Sequence, residues 1–242
     1  MWMRNEAMRR FIGRNKIARA LTFGMQNILQ TRLLSGHKHP ETLGRLRDCR
    51  KRAHSLLSAD ESFIVHEIAS AQSRLPGDFA EFGVYRGASA HLIGSVKGAR
   101  RLHLFDTFDG LPDMGGKDEP VFHKGQFTGT LNAVRDLMRN IPDVAFHQGM
   151  FPDSTAGLEQ LRFSFVHLDV DLHDATLAGL RYFYPRMVPG GIILTHDYSI
   201  VDGVRRAFRT FLADRPEGVI ELPTTQAMIV RQAADHAQAM AA

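Results

Sequence analysis

From residue 78 onward, short apolar runs alternate with segments of helical period. DFAEFGVY (78–85), RRLHLFDTF (100–108), VAFHQGMF (144–151), FSFVHLDV (163–170) and GGIILTHD (190–197) are hydrophobic stretches of strand length, as expected for strands buried in a sheet. Helical patterns fill the gaps at 87–97, 129–140, 174–186 and 202–213. Strands separated by helices predict right-handed βαβ units and a mostly parallel sheet covered on both faces. The last two runs, VIELPT (219–224) and AMIVRQ (227–232), lie too close for a crossover, so they are expected to pair as an antiparallel hairpin.

Upstream the pattern changes. Met8, Phe11 and Ile12, then Ile17, Leu21, Met25 and Ile28, recur at spacings of three and four, as one face of a helix does, with Gly13 and Gly24 expected to interrupt it. Up to about residue 52 the chain is dense in Arg and Lys, opposed only by Glu6, Glu41 and Asp48, so the net charge of +4 belongs to this arm and the remainder is net acidic. The expected organisation is a basic helical extension or lid over 1–76, an α/β domain over 77–232 and a frayed tail over 233–242. The arm's amphipathy predicts packing on the domain or on a second subunit, and hence a homo-oligomer, a dimer being the simplest. Peripheral contact with an anionic membrane and a cleaved transit peptide are less favoured, the latter because the arm is not Ser-rich.

Composition adds bounds. With 242 residues, 44% hydrophobic and 23% charged, the chain suits one full α/β domain plus an extension. Cys49 is the sole cysteine, which excludes an intrachain disulfide and fits a reducing compartment. No apolar run reaches the roughly 20 residues of a membrane span, and the N-terminus lacks the apolar core of a secretory signal. A cytoplasmic protein is expected, with no nucleic-acid partner.

The chemistry collects where strands end. LDVDLH (168–173) and THDYS (195–199) place Asp169, Asp171, His196 and Asp197 at the carboxyl ends of expected neighbouring strands, the edge at which open parallel sheets bind ligands. EFGVYRGAS (81–89) leaves the first strand and opens a helix, with Gly83 and Gly87 expected at a tight turn beside a ligand. It is not GxGxxG, the loop a dinucleotide pyrophosphate requires, whereas S-adenosylmethionine has no phosphate and tolerates a looser loop. Asp106 ends the second strand, where a carboxylate can accept from both ribose hydroxyls of an adenosine cofactor. Glu81, Gly83, Tyr85, Gly87, Ser89, Asp106, Thr107 and Phe108 are the candidate cofactor residues. The following loop (109–129) far exceeds the usual βα connection and is expected to act as a lid. Gly110, Gly115 and Gly116 would permit closure, and Leu111, Val121, Phe122 and Phe127 would cover a substrate. His103 and His167 fall inside strands and are expected to be packed and hydrogen-bonded rather than ligating.

A parallel sheet ending in a hairpin has the shape of a class I methyltransferase. EFGVYRGAS, FDTFDGLPD, GMFPDS, LDVDLHDAT, YFYPRMVPGG and HDYS also stand in the order found in the macrocin O-methyltransferase (TylF/MycF-like) family, which residues 78–231 resemble. The resemblance implies S-adenosylmethionine and a divalent metal, commonly Mg²⁺, methylating a hydroxyl, often on the sugar of a glycosylated natural product or glycan. It places the metal at Asp169, His196 and Asp197. A metal stabilises the developing alkoxide while a base takes the proton. Asp169 is the first candidate for ligation combined with proton acceptance, and Asp171 or His173 is the reserve base.

Two residues depart from the family pattern. His196 stands where the first acid of an Asp-Asp pair is usual, and His173 where a Tyr is common. Imidazole suits Zn²⁺, Fe²⁺ or Ni²⁺ better than Mg²⁺, so metal identity stays open. His196 is open as ligand, as base, or as a loop hydrogen-bonding residue. The alternatives to a metal-assisted O-methyltransferase are a metal-independent methyltransferase or another enzyme on the same fold, and a non-catalytic binding protein acting through its basic arm.

Overall fold

Each apolar run becomes a strand of one sheet. The computed structural model describes residues 16–53, 55–112, 118 and 122–233, with side chains from residue 22. In chain order the elements are α1 (Lys16–Ser35), α2 (Pro40–Arg52), α3 (Ala59–Gln72), β1 (Asp78–Phe82), α4 (Ala88–Gly94), β2 (Leu102–Asp106), α5 (Leu131–Met138), β3 (Val144–Gln148), β4 (Phe163–Leu168), α6 (His173–Phe183), β5 (Met187–Thr195), α7 (Asp202–Leu212), β6 (Ile220–Glu221) and β7 (Ala227–Val230). The seven strands are ordered β3-β2-β1-β4-β5-β7-β6. Pairings among β1 to β5 are parallel, and β7 pairs antiparallel with both β5 and β6. The expected hairpin is therefore present, although β6 is only two residues long.

Side chains alternating across the strands feed two cores. Phe79, Leu102, Leu104, Phe165 and Leu194 pack with Leu43, Leu46, Val65, Leu92, Ile93, Val134 and Met138 from helices α2 to α5. Ala80, Phe82, Phe105, Val166 and Leu168 pack on the opposite face with Leu177, Leu180 and Phe183 of α6 and Val204, Phe208 and Phe211 of α7. At roughly 1.5–3 kcal/mol for each fully buried large side chain, these layers supply the main driving force for folding. His103 and His167 are buried as expected. His103 Nδ1 lies 3.0 Å from His147 Nε2, and His167 Nδ1 lies 2.8 Å from Glu81 Oε1. Cys49 is buried and its thiol donates to the Ala88 carbonyl. Burial, then Asp48, pushes that thiol up to about 12.

The arm departs from expectation in two ways. Helix α1 runs through Gly24 without interruption, because a single interior glycine costs only about 1 kcal/mol. The face that meets the domain is also not the predicted stripe, since Leu34 joins the core while Met25 and Ile28 do not. Asn27 is buried and accepts from Arg50, and Gln30 accepts from the Ala59 amide, whereas Met25, Ile28, Leu29 and Leu33 are exposed. Met8, Phe11, Ile12, Gly13, Gly115, Gly116, Val121, the side chains of Ile17 and Leu21, and the tail beyond residue 233 lie outside the described part. No helix among the described residues is long and apolar enough to cross a membrane.

Candidate active site

Strand register puts the polar residues in one row. Phe82 pairs with Phe105 and Leu168, and Leu168 pairs with Thr195. The next residues continue the ladder, since Gly83 N donates to Phe105 O at 3.0 Å, Asp169 N to Phe82 O at 2.9 Å and His196 N to Leu168 O at 2.9 Å. Gly83, Asp106, Asp169 and His196 therefore sit side by side at the carboxyl edge. There the strand order reverses between β1 and β4, the position at which an open α/β sheet has its ligand crevice. A cavity opens at this point, walled by these four residues with Tyr85, Ser89, Thr107, Asp171 and Asp197 and by apolar Leu57, Leu111, Phe127, Met150 and Phe151.

The β4 and β5 ends form an acidic cage around one imidazole. His196 Nδ1 lies 3.0 Å from Asp197 Oδ2 and 3.6 Å from Asp169 Oδ1, and its Nε2 lies 3.5 Å from Glu61 Oε2. None of these contacts has hydrogen-bond direction, so both buried ring nitrogens lack a well-aligned partner. Burial alone would lower the His196 pKa, but Asp197, Asp169 and Glu61 override it and hold the ring well above the ordinary histidine range. Burial raises Asp169, with His196 opposing the rise. Asp171 is pushed well above the usual carboxylate range by burial and then by Asp197 and Asp169. Asp171 and Asp197 adopt left-handed backbone conformations, with φ of 59° and 58°. Tyr85 and Phe127 do the same on the opposite wall, at 51° and 61°. Such sparsely populated conformations persist where surrounding structure fixes them and tend to gather at functional sites.

Donor atoms of Asp169, His196 and Asp197 lie within 4.8 Å of one another. Two carboxylates and an imidazole nitrogen at that spacing, with the ring nitrogens not otherwise engaged, fit a divalent cation. Carboxylate oxygens suit Mg²⁺ and Mn²⁺, and the imidazole admits Zn²⁺ or Fe²⁺.

The glycine loop is built differently. Asp106 Oδ2 accepts from Val84 N at 2.6 Å and Tyr85 N at 2.8 Å, and its Oδ1 accepts from Phe108 N at 2.7 Å. A carboxylate offers about four acceptor positions, so three are directed to backbone and about one remains for a ligand. Gly83 is required for a reason other than ligand space: at φ 92°, a Cβ there would lie 1.9 Å from the Asp169 carbonyl oxygen. Gly87, at φ 79°, caps α4 and makes room for Val134 of α5. The two glycines admit protein and thereby seat Asp169 and the helix.

The structure brings Gly83, Tyr85, Ser89, Asp106, Thr107, Asp169, Asp171, His196 and Asp197 to the cavity wall. Glu81, Gly87, Phe108 and His173 are not part of that wall. Glu81 is fully buried on His167, Phe108 packs in the core beneath, and His173 turns its Nδ1 to Asp174 while its amide donates to Asp118. In the long loop, Leu111 and Phe127 face the cavity and Phe122 is buried. Glu61 escaped the sequence reading. Its only local signal is the SADE stretch (58–61), a helix-capping pattern, which says nothing of a contact with His196 more than a hundred residues away.

Strand order, the C-terminal antiparallel pair and a cleft at the β1/β4 switch point define a class I methyltransferase fold. Residues 49–225 match the family model described as Macrocin-O-methyltransferase (TylF). The chain belongs to that family. It is 31% identical over 153 residues, 57% of this chain and 58% of the relative, to the 8-demethyl-8-(2,3-dimethoxy-alpha-L-rhamnosyl)-tetracenomycin-C 4'-O-methyltransferase of Streptomyces olivaceus. To the mycinamicin III 3''-O-methyltransferase of Micromonospora griseorubida it is 26% identical over 168 residues, 61% of this chain and 66% of the relative. The chain thus spans less than two thirds of the length of either relative. The solved O-methyltransferase NovP superposes with a TM-score of 0.67 at 22% identity, covering 74% of this chain and 83% of that one. For the calicheamicin methyltransferase CalS11 the values are 0.61 and 21%, covering 80% and 94%.

Proposed function

We propose that this protein transfers a methyl group from S-adenosylmethionine to a hydroxyl on the sugar of a glycosylated small molecule, assisted by a divalent metal at Asp169, His196 and Asp197. The observation that carries this reading is the shared edge. A loop suited to a phosphate-free nucleoside and a three-residue cation site face one cavity within a family whose named relatives methylate sugars of natural products.

The chain's residues divide the work. Asp106 fixes the loop through three amides and keeps about one acceptor position for a ribose hydroxyl. Leu111, Phe127, Met150 and Phe151 form an apolar wall that shields the reacting atoms from water. When bound, S-adenosylmethionine would supply the methyl group to the acceptor oxygen, leaving as S-adenosylhomocysteine. A metal, when bound, stabilises negative charge developing on that oxygen. Asp169 and Asp197 hold the cation site together with His196, and Asp171, outside that triad but on the same cavity wall, is the carboxylate placed to take the hydroxyl proton. Positioning of oxygen, carbon and sulfur in line supplies much of the remaining acceleration.

The exposed stripe of Met25, Ile28, Leu29 and Leu33 supports a homo-oligomer in which a second copy covers α1. Leu29→Glu should then lower the oligomeric state in size-exclusion chromatography.

The enzymatic reading is tested by thermal shift and turnover together. S-adenosylhomocysteine should raise the melting temperature by mass action on the folded state, NAD should not, and a panel of glycosylated acceptors with labelled methyl donor should reveal transfer that chelation abolishes. Stabilisation by NAD alone, or by neither ligand, would remove the methyltransferase reading. Transfer undiminished after exhaustive chelation would remove the metal from it.

A further inference from the structure

We infer that Glu61, carried by the N-terminal helical segment and not by the strand ends, is a positioning residue that fixes the ring orientation and tautomer of His196 for cation binding. The inference rests on the metal reading above and extends it to a residue outside the triad.

The geometry divides the imidazole in two. Nδ1 lies 3.0 Å from Asp197 Oδ2 and 3.6 Å from Asp169 Oδ1, and Nε2 lies 3.5 Å from Glu61 Oε2, with none of the three contacts aligned as a hydrogen bond. A neutral imidazole has one N–H and one lone pair. A cation shared with Asp169 and Asp197 needs the lone pair on Nδ1, which places the proton on Nε2, toward Glu61. A carboxylate behind a metal-ligating histidine selects the tautomer, limits ring rotation and raises ligand basicity.

Two partners hold the Glu61 carboxylate, and a third bond caps the helix that carries it. Its Oε2 accepts from Ser58 N at 2.8 Å, its Oε1 from Thr225 Oγ1 at 2.6 Å, and its own amide donates to Ser58 Oγ at 3.3 Å in a capping box. The side chain is buried, and a buried carboxylate persists only when its oxygens are engaged. Two of these partners satisfy it without using the direction to His196, which leaves Oε2 free to accept a further proton there. Thr225 stands in the turn between β6 and β7, so one carboxylate ties the start of α3, the hairpin and the end of β5 together. This gives the helical segment before the sheet a role at the site: it completes the second half of the His196 environment, which the strand ends leave open.

The test uses the full-length protein and its variant Glu61→Gln, with Mn²⁺ and Zn²⁺ titrated by calorimetry. Glutamine keeps the size and one carbonyl oxygen for the cap but carries no charge, so it removes the carboxylate that raises the basicity of the His196 ring. Glu61→Gln should bind either metal about 10- to 100-fold more weakly while still binding S-adenosylhomocysteine. Ser58→Ala is the structural control. It loosens the same helix start but leaves the Glu61 carboxylate in place, so it should lower the melting temperature and leave metal affinity unchanged. In the metal-loaded wild type, ¹⁵N NMR of the His196 ring should show a protonated Nε2. Wild-type metal affinity in Glu61→Gln, equal loss in Ser58→Ala, or a protonated Nδ1 overturns the inference. If the wild type binds neither metal, the metal reading itself fails, and this inference with it.

Discussion

The two halves of the cavity satisfy their polar groups in opposite ways. On the β1 and β2 side, the Asp106 carboxylate is engaged by three backbone amides at 2.6–2.8 Å, so the loop is locked by its own acid before any ligand arrives. On the β4 and β5 side, three aspartates and Glu61 crowd His196, whose nitrogens have close neighbours but no aligned hydrogen bond. On the proposed function, the first half would receive a hydrogen-bonding nucleoside at little reorganisation cost. The second is organised around a positive charge, with mutual repulsion among carboxylates that a cation relieves. On the function proposed above, binding and chemistry fall to different strand ends, and substitutions should separate them.

The widest separation is expected in the acidic half. Asp169→Asn and Asp171→Asn should each lower turnover by about 100-fold or more, the range for removing a charge stabiliser or general base. S-adenosylhomocysteine affinity should stay within about threefold. Steady-state kinetics with calorimetry checks both, and parallel loss of binding and turnover would show that the halves are not independent.

Gly83 is where the halves touch, so its substitution should breach the boundary. Gly83→Ala places a Cβ on the Asp169 carbonyl at a left-handed φ. A destabilisation of about 2 kcal/mol or more, which is roughly 4–8 °C in melting temperature for a domain of this size, should accompany loss of turnover. A variant with unaltered melting temperature and turnover would mean that the close approach of loop and β4 end does not constrain Asp169.

A smaller and purely binding effect should follow from Asp106→Ala. Loss of the acceptor for three amides should weaken S-adenosylhomocysteine by roughly 10-fold or more and lower stability by about 1–3 kcal/mol, while Mn²⁺ affinity is retained. Metal loss equal to nucleoside loss would contradict the division.

The smallest effect concerns acid sensitivity beneath the nucleoside half. Burial, then His103 and Arg101, lowers His147 from the ordinary 6.5 to about 4. In that window the unfolded chain binds a proton at this ring that the folded chain does not, so the contribution is present at high pH and lost as pH falls from 6.5 toward 4. Thermal unfolding of His147→Gln should show a shallower fall in stability over that window than wild type. Identical slopes would show that His147 is not a source of the acid sensitivity.

Periodicity alone was sufficient for the sheet. Apolar runs of strand length, helical spacing between them and the short gap before AMIVRQ leave few topologies once crossovers are right-handed. All five parallel strands and the closing hairpin lie where those runs stand. The acidic row was equally legible, because residues that follow parallel strands directly must emerge at one edge. Side-chain partnership was not legible. Asp106 could be read as an acid at a strand end, but its engagement with Val84, Tyr85 and Phe108 depends on how the loop folds back over it. Gly83 could be read as a turn, but its close neighbour, the Asp169 backbone, is 86 positions distant in sequence.

What the sequence by itself determined, then, is everything set by local period and by strand direction: the α/β order, the edge that carries chemistry and the identity of most residues on it. The tertiary structure alone decided which apolar side chains of α1 are left uncovered, that His173 is bonded to Asp118 and Asp174 at the start of α6, and that Glu61 comes to His196 from another helix. The physical reason is range. Hydrogen-bond periodicity and backbone geometry act over a few residues and leave a repeating trace in the chain, whereas burial and charge act between groups that only packing brings together, and their sequence positions carry no common period.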